Sequence, residues 1–216
     1  MIIGLGNTKG GVSKSMLAAN FVVELNDTNY PTALIDAEPD FPTAKRLLRF
    51  DPQLVAVAAH KLEEIQDSTR ELKAKGYNIV IDTPGNDSEQ LTAVCLLSDV
   101  LIIPMQTAEQ DLIQTKTVLT LVRTLQLRTG GAPLAYLVFT QTSAGDLAAT
   151  QLRKDLAPLD IPIADTQIRS LKKYQRNISV MRDAKLNTAG EADDIRALLD
   201  ELVMPHLKSA KGVANG

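Results

Sequence analysis

Short apolar runs alternate with longer amphipathic stretches along this chain. Ile2-Ile3-Gly4-Leu5, Thr32-Ala33-Leu34-Ile35-Asp36, Leu54-Val55-Ala56-Val57-Ala58, Tyr77-Asn78-Ile79-Val80-Ile81-Asp82, Val100-Leu101-Ile102-Ile103-Pro104 and Leu134-Ala135-Tyr136-Leu137-Val138-Phe139 read as buried strands, the third the weakest. Helices are predicted from Met16 onward, over Lys61 to Lys75 with Gly76 as the stop, over Leu91 to Leu97, and over Leu147 to Leu156. Another is predicted over Leu112 to Leu125, where Thr115, Val118, Leu119, Val122 and Leu125 fall at helical spacing. A short strand is expected near Ile161-Pro162-Ile163, and a last amphipathic helix from Glu191 to Leu207. Apolar strands separated by helices imply an α/β fold: a single doubly wound, mostly parallel sheet with helices on both faces. No linker or internal repeat divides the chain, so one domain is expected over residues 1–208, with a small polar disordered tail over 209–216.

Chemistry concentrates first in Gly6-Asn7-Thr8-Lys9-Gly10-Gly11-Val12-Ser13-Lys14-Ser15, between the first strand and the first helix. Glycines let backbone N–H groups turn inward on an anion, and a helix N-terminus adds partial positive charge. Lys14 can then reach outer phosphates and Ser15 can ligate Mg²⁺. A Gly/Ser/Lys turn without ligand is the bland reading; strand and helix on either side favour a nucleotide site over it. The common phosphate-loop spacing is obeyed only in part, because its two glycines would fall on Thr8 and Ser13. The variant K-G-G-x-x-K-[ST] is met in full by Lys9, Gly10, Gly11, Lys14 and Ser15.

This variant loop resembles the deviant Walker A motif of the ParA/MinD family of P-loop ATPases. The resemblance implies a P-loop NTPase fold and a nucleotide cradle from Gly10, Gly11, Val12, Ser13, Lys14, Ser15 and Met16. It also implies an ATP-dependent homodimer in which Lys9 reaches the other subunit's nucleotide. Ser13 stands where most members have Gly, which bears on loop geometry and hydrolysis rate.

Two acidic strand ends belong to the same picture, since ligands of doubly wound sheets sit at the carboxyl ends of strands. Asp82, before Thr83-Pro84-Gly85, is placed to hold Mg²⁺ through water, and the Gly85 N–H to sense a γ-phosphate; the pair resembles the family's Walker B aspartate and switch II, a helix-cap or turn role for a strand-ending Asp being the alternative. Asp36-Ala37-Glu38-Pro39-Asp40 lies where the family has D-x-D-P-Q. Asp36 is expected near Mg²⁺ or its waters. By resemblance Glu38 takes the place of the acid that positions the attacking water, on a longer arm, so slow hydrolysis is expected. An acidic turn before a helix is the alternative. The segment Met105 to Leu112 is similar to a family segment that contributes to the dimer face, and Asp111 is either part of that face or a helix N-terminal charge.

Composition narrows the class. With 216 residues, 44% hydrophobic and 23% charged, the chain is an ordinary globular domain, and no apolar run approaches the roughly 18 residues that span a bilayer. It opens straight into an apolar strand without a secretory pattern, so a cytoplasmic location is expected. Cys95 is the sole cysteine, among apolar neighbours; it reads as core and excludes a disulfide within the chain, and family branches built on iron–sulfur clusters are disfavoured. His60 and His206 lack metal-ligand spacing and read as surface or edge residues.

The net charge of −3 argues against nucleic acid, but the distribution does not. Between Gln167 and Leu186, Arg169, Lys172, Lys173, Arg176, Arg182 and Lys185 face only Asp183. Such a patch is either a phosphate-backbone surface, binding DNA without sequence preference, or a solvated helix face. Ile168-Arg169-Ser170 also resembles the family motif near which basic residues bind nonspecific DNA, so Arg169, Lys172, Lys173 and Arg176 are the candidates. The last predicted helix carries Glu191, Asp193, Asp194, Asp200 and Glu201 on its polar face, opposite to what a membrane-surface helix needs. No membrane partner is expected. The chain looks like the short plasmid-type ParA proteins, including the ParF group. That resemblance implies a Mg-ATP-dependent partition ATPase, nucleoid-associated through nonspecific double-stranded DNA, with a centromere-binding, ParB- or ParG-like partner. A positioning ATPase for a protein cargo or for conjugative DNA transfer, and a scaffold that binds nucleotide without useful turnover, remain open.

Overall fold

A computed structural model describes residues 1–85, 89–143, 145–170 and 193–214. Along the chain it forms β1 (Ile2–Leu5), α1 (Lys14–Asp27), β2 (Thr32–Asp36), α2 (Pro42–Phe50), β3 (Val55–Ala58), α3 (Leu62–Ala74), β4 (Asn78–Asp82) and α4 (Glu89–Leu97). There follow β5 (Val100–Met105), α5 (Glu109–Thr129), β6 (Leu134–Thr142), α6 (Leu147–Leu156), β7 (Ile168–Arg169), α7 (Asp193–Leu202) and α8 (Met204–Ala214). The described strands make one seven-stranded sheet in the order β3-β2-β4-β1-β5-β6-β7, every pairing parallel. The expected doubly wound sheet is therefore present.

Strand alternation sends successive side chains to opposite faces, which divides the core. In β5, Val100 and Ile102 pack with α1, α7 and α8, while Leu101, Ile103 and Met105 pack with α5 and α6. In β4, Val80 joins the first face, and Ile79 and Ile81 pack beside Ile65 and Leu72 of α3. Cys95 is in this interior, where burial pushes its thiol up to about 12. Register then brings the functional ends level: Asp82 lies opposite both Leu5 and Asp36.

Two expectations are corrected. The expected strand at 161–163 reduces to an isolated bridge between Ile163 and Leu137, and the seventh strand is Ile168–Arg169, paired with Thr140 and Thr142 across a register shift. Two residues carry no periodic signal. The helix expected from Glu191 to Leu207 is two helices, with residues 191–192 outside the described residues. Pro205, second in α8, has no N–H for the Glu201 carbonyl and its ring collides with it, so α7 ends and the chain restarts. The restarted helix runs to Ala214, within the segment expected as a tail, and residues 215–216 lie outside the described residues.

Candidate functional site

The loop after β1 is held from several sides. Asn7, fully buried, donates through Nδ2 to the Pro104 carbonyl at 2.7 Å and Thr115 Oγ1 at 3.2 Å, and its Oδ1 accepts the Lys9 N–H at 3.1 Å. The Thr140 hydroxyl lies 3.1 Å from the Val12 carbonyl and 3.2 Å from that of Met105. Gln106 and Gln141 both donate to the Gly11 carbonyl, at 3.0 and 2.6 Å. Gly11 and Ser13 occupy the left-handed region at φ 76° and 75°. Ser13 there costs about 1–2 kcal/mol relative to glycine, and the Gln141 amide, 3.3 Å from Ser13 Oγ, braces it.

These turns deliver α1 with an open N-terminus: no side chain caps it, and its first turn holds no acid. Lys14, its first residue, is only 4% exposed and donates to the Lys9 carbonyl at 2.9 Å. Burial lowers its pKa, and Asp82 and Glu38 pull it back up. Uncapped N–H groups and a buried lysine make a site for a phosphate chain. Gly10, Gly11, Ser13, Lys14, Ser15, Met16 and Glu38 line one cleft of about 250 Å³, with Gln141, Ile168, Arg169 and Ser170 along it.

Behind Lys14 stands Asp82, fully buried. Its Oδ2 accepts the Thr43 hydroxyl at 2.8 Å, while Oδ1 has no hydrogen-bond partner among the described residues. Burial pushes its carboxyl up to about 7 against the downward pull of the Ser15 and Thr43 hydroxyls; Asp36 and Glu38 add repulsion. A buried carboxylate with an orphaned oxygen beside a serine hydroxyl fits a hard divalent cation.

The family model for the CobQ/CobB/MinD/ParA nucleotide binding domain matches residues 3–188. The chain belongs to that family. No curated protein sequence matches it. Its fold is similar to the Aquifex aeolicus MinD cell division protein, with a TM-score of 0.69 and 17% identity over 94% of this chain and 98% of that one. A Borrelia burgdorferi protein assigned to plasmid partition, bound to AMPPNP, gives 0.62 and 18% over 93% and 98%. Cyanothece McdA gives 0.66 and 15% over 93% and 98%. At such identities the likeness is one of fold, and the CobQ/CobB/MinD/ParA chain's own residues carry the argument about its site.

The structure brings Gly10, Gly11, Ser13, Lys14, Ser15, Met16 and Glu38 to one cleft and places other candidate residues outside it. Lys9 is ion-paired with Asp111, whose other oxygen accepts the Gln106 N–H at 3.2 Å. Asp36 is fully buried with its oxygens already engaged: Oδ1 accepts the Glu38 N–H at 3.1 Å and Oδ2 the Ala44 N–H at 2.8 Å. Burial raises its pKa and these N–H groups lower it. Asp36 thus shapes the turn and the start of α2, and Asp82 is the carboxylate with an oxygen to spare. Arg169, expected in a free basic patch, lines the cleft and grips Asp194 of α7 through Nε, at 2.8 Å to Oδ2 and 3.0 Å to Oδ1. Its countercharge lies 25 residues ahead, beyond what a local charge count sees. Lys172, Lys173, Arg176, Arg182 and Lys185 lie outside the described residues.

Thr43, Gln106 and Gln141 are site residues that sequence reasoning missed. Thr43 follows Pro42 at the start of α2, a position whose only sequence signal is the helix-start proline.

Proposed function

We propose that this chain is a ParA-type partition ATPase that binds Mg-ATP and forms a nucleotide-sandwich homodimer. In that state it binds nonspecific double-stranded DNA and, with a centromere-binding partner, drives plasmid or chromosome segregation. The observation that carries this reading is the pair of loop lysines: Lys14 serves the chain's own phosphate cradle, while Lys9 stands apart on Asp111. A second lysine not needed in its own cradle is available for a neighbouring subunit's nucleotide.

Lys14 and the α1 N–H groups would bind the phosphates, and Gln141, Ile168 and Arg169 would face the nucleoside end of the cleft. Ser15 and Asp82, with Thr43 behind, would hold Mg²⁺, which when bound neutralises phosphate charge. Glu38 would orient the attacking water, its longer arm making turnover slow until the partner acts. Positioning and charge stabilisation account for most of phosphoryl-transfer catalysis, so each role is a matter of geometry. No described helix is long and apolar enough to cross a membrane, and a nucleoid-associated cytoplasmic location goes with the proposal.

Binding to random-sequence duplex DNA without nucleotide, with ADP and with ATP, over a salt series, tests this reading. ATP-dependent binding that weakens with salt is expected. No binding in any state would overturn the DNA role and favour a ParA-like positioning ATPase for a protein cargo. The engagement of Arg169 by Asp194 supports that second reading, and cargo pull-down would identify it.

A further inference from the structure

Glu38 has three side-chain torsions, so the protein can aim its carboxylate only through the backbone that carries it. That backbone is gripped at one peptide unit. The Glu38 N–H donates to Asp36 Oδ1 at 3.1 Å, and the Ala37 carbonyl of the same peptide lies 2.7 Å from His60 Nδ1. The Ala37 N–H donates to the Asp82 carbonyl at 2.9 Å.

A carbonyl only accepts, so His60 Nδ1 carries the proton, and Nε2 of the neutral ring presents a lone pair. Facing it at 3.4 Å is the amide nitrogen of Gln90, which also donates to the His60 carbonyl at 3.0 Å. Gln90 belongs to the first turn of α4, the helix that follows Asp82 and Gly85. The His60 and Lys61 N–H groups both donate to Glu64 Oε2 at 3.1 Å, closing the start of α3. His60 therefore ties the turn bearing Glu38 to two helix starts, its ring to Gln90 of α4 and its backbone N–H to Glu64 of α3, and is not the ordinary edge histidine its sequence context suggests.

We propose that His60 is a positioning residue for ATP hydrolysis: its Nδ1–H fixes the Ala37–Glu38 peptide, and through it the Glu38 carboxylate in the cleft with Lys14. The inference rests on the reading of Glu38 as the group that orients water. A misplacement of about 1 Å can cost on the order of 100-fold in rate, so losing one of two peptide anchors predicts about a tenfold loss.

The test compares His60→Ala, His60→Asn and His60→Gln with Glu38→Gln, measuring steady-state ATP hydrolysis, ATP affinity and melting temperature. Asn places an amide N–H where Nδ1 stands, and Gln reaches only toward Nε2. His60→Ala and His60→Gln should lower kcat about tenfold with ATP affinity within about twofold, while His60→Asn keeps at least about half the rate. In the Glu38→Gln background, His60→Ala should have no further effect on kcat. Slow Glu38→Gln with unchanged His60→Ala would overturn the role of His60 alone. Equal losses in all three His60 variants, or ATP affinity falling in parallel with kcat, would also overturn it. A Glu38→Gln variant at the full rate would overturn the Glu38 reading and the proposal with it.

Discussion

Lys9 and Asp111 are ion-paired within a single chain, the lysine side chain 27% exposed and the aspartate side chain fully buried. The pair is lopsided, and so are its mutants. Removing Lys9 leaves a buried carboxylate that, among the described residues, accepts only the Gln106 N–H, whereas Asp111→Asn leaves an ammonium that can turn to water. Lys9→Ala should therefore cost about 1–3 kcal/mol and Asp111→Asn distinctly less, with Lys9→Ala/Asp111→Asn recovering most of the loss. Denaturant titration measures all three; equal costs for the two single variants would contradict this account. Where Lys9 must leave Asp111 to reach a second nucleotide, Asp111→Asn should also lower the ATP concentration that drives dimerisation, read by sedimentation.

Ser13 holds a left-handed conformation that glycine adopts at no steric cost. Ser13→Gly should gain up to about 1 kcal/mol, less what the freer unfolded chain and the lost Gln141 contact take back. Ser13→Ala keeps the steric cost and loses the brace. The stability order expected in thermal melts is Gly, then Ser, then Ala; an alanine variant as stable as the glycine one would refute the backbone argument.

The phosphate loop was legible because its residues are contiguous and lie between a fully buried apolar strand, Ile2–Leu5, and a helix buried from Leu17 to Leu25. Asp82 and Asp36 were legible as strand ends for the same reason. What is brought in from elsewhere was not: Gln141 braces a loop 128 residues away from a left-handed position in β6, and Asp194 of α7 reaches Arg169 of β7. Asp36 reads in the sequence only as an acid at a strand end; that its oxygens accept the Glu38 and Ala44 N–H groups is set by the turn that follows, which carries no sequence signal of its own.

Asp82 sets a pH dependence whose sign follows from its raised pKa. With the folded value about 7 and the unfolded one near the ordinary aspartate value of 3.8, the folded protein holds a proton that the unfolded chain has released between those limits. Its contribution to stability is thus present at low pH and lost as pH rises through about 7. Nucleotide-free protein should melt lower at pH 8 than at pH 5.5, and Asp82→Asn should flatten that slope. Melting curves across the range check this, and an Asn variant that keeps the full slope would place its origin elsewhere.

Gly85 abuts the phosphate loop so closely that a Cβ there would lie 2.9 Å from Gly10 Cα and 3.0 Å from Gly10 N, both rigid backbone atoms. Gly85→Ala must push the loop or the Asp82 turn aside, at about 1–3 kcal/mol. The displaced loop should weaken ATP binding at least about tenfold, since cradle geometry is what makes the N–H groups converge. Calorimetric titration would show it, and unchanged affinity would mean that the contact yields without consequence.

Arg169 separates cleft from DNA surface. Its guanidinium is committed to Asp194, so it is already neutralised and has little counterion atmosphere to release from DNA. Arg169→Ala should change the slope of log affinity against log salt by less than about one, while lowering ATP affinity and loosening α7 from β7. Neutralising Lys172 and Lys173 together should reduce that slope by about two if both meet phosphates. A full unit lost on replacing Arg169 alone would mean that it exchanges Asp194 for the DNA backbone in the ATP state. Asp194→Asn should then tighten DNA binding, because the arginine no longer has to leave a carboxylate to reach a phosphate.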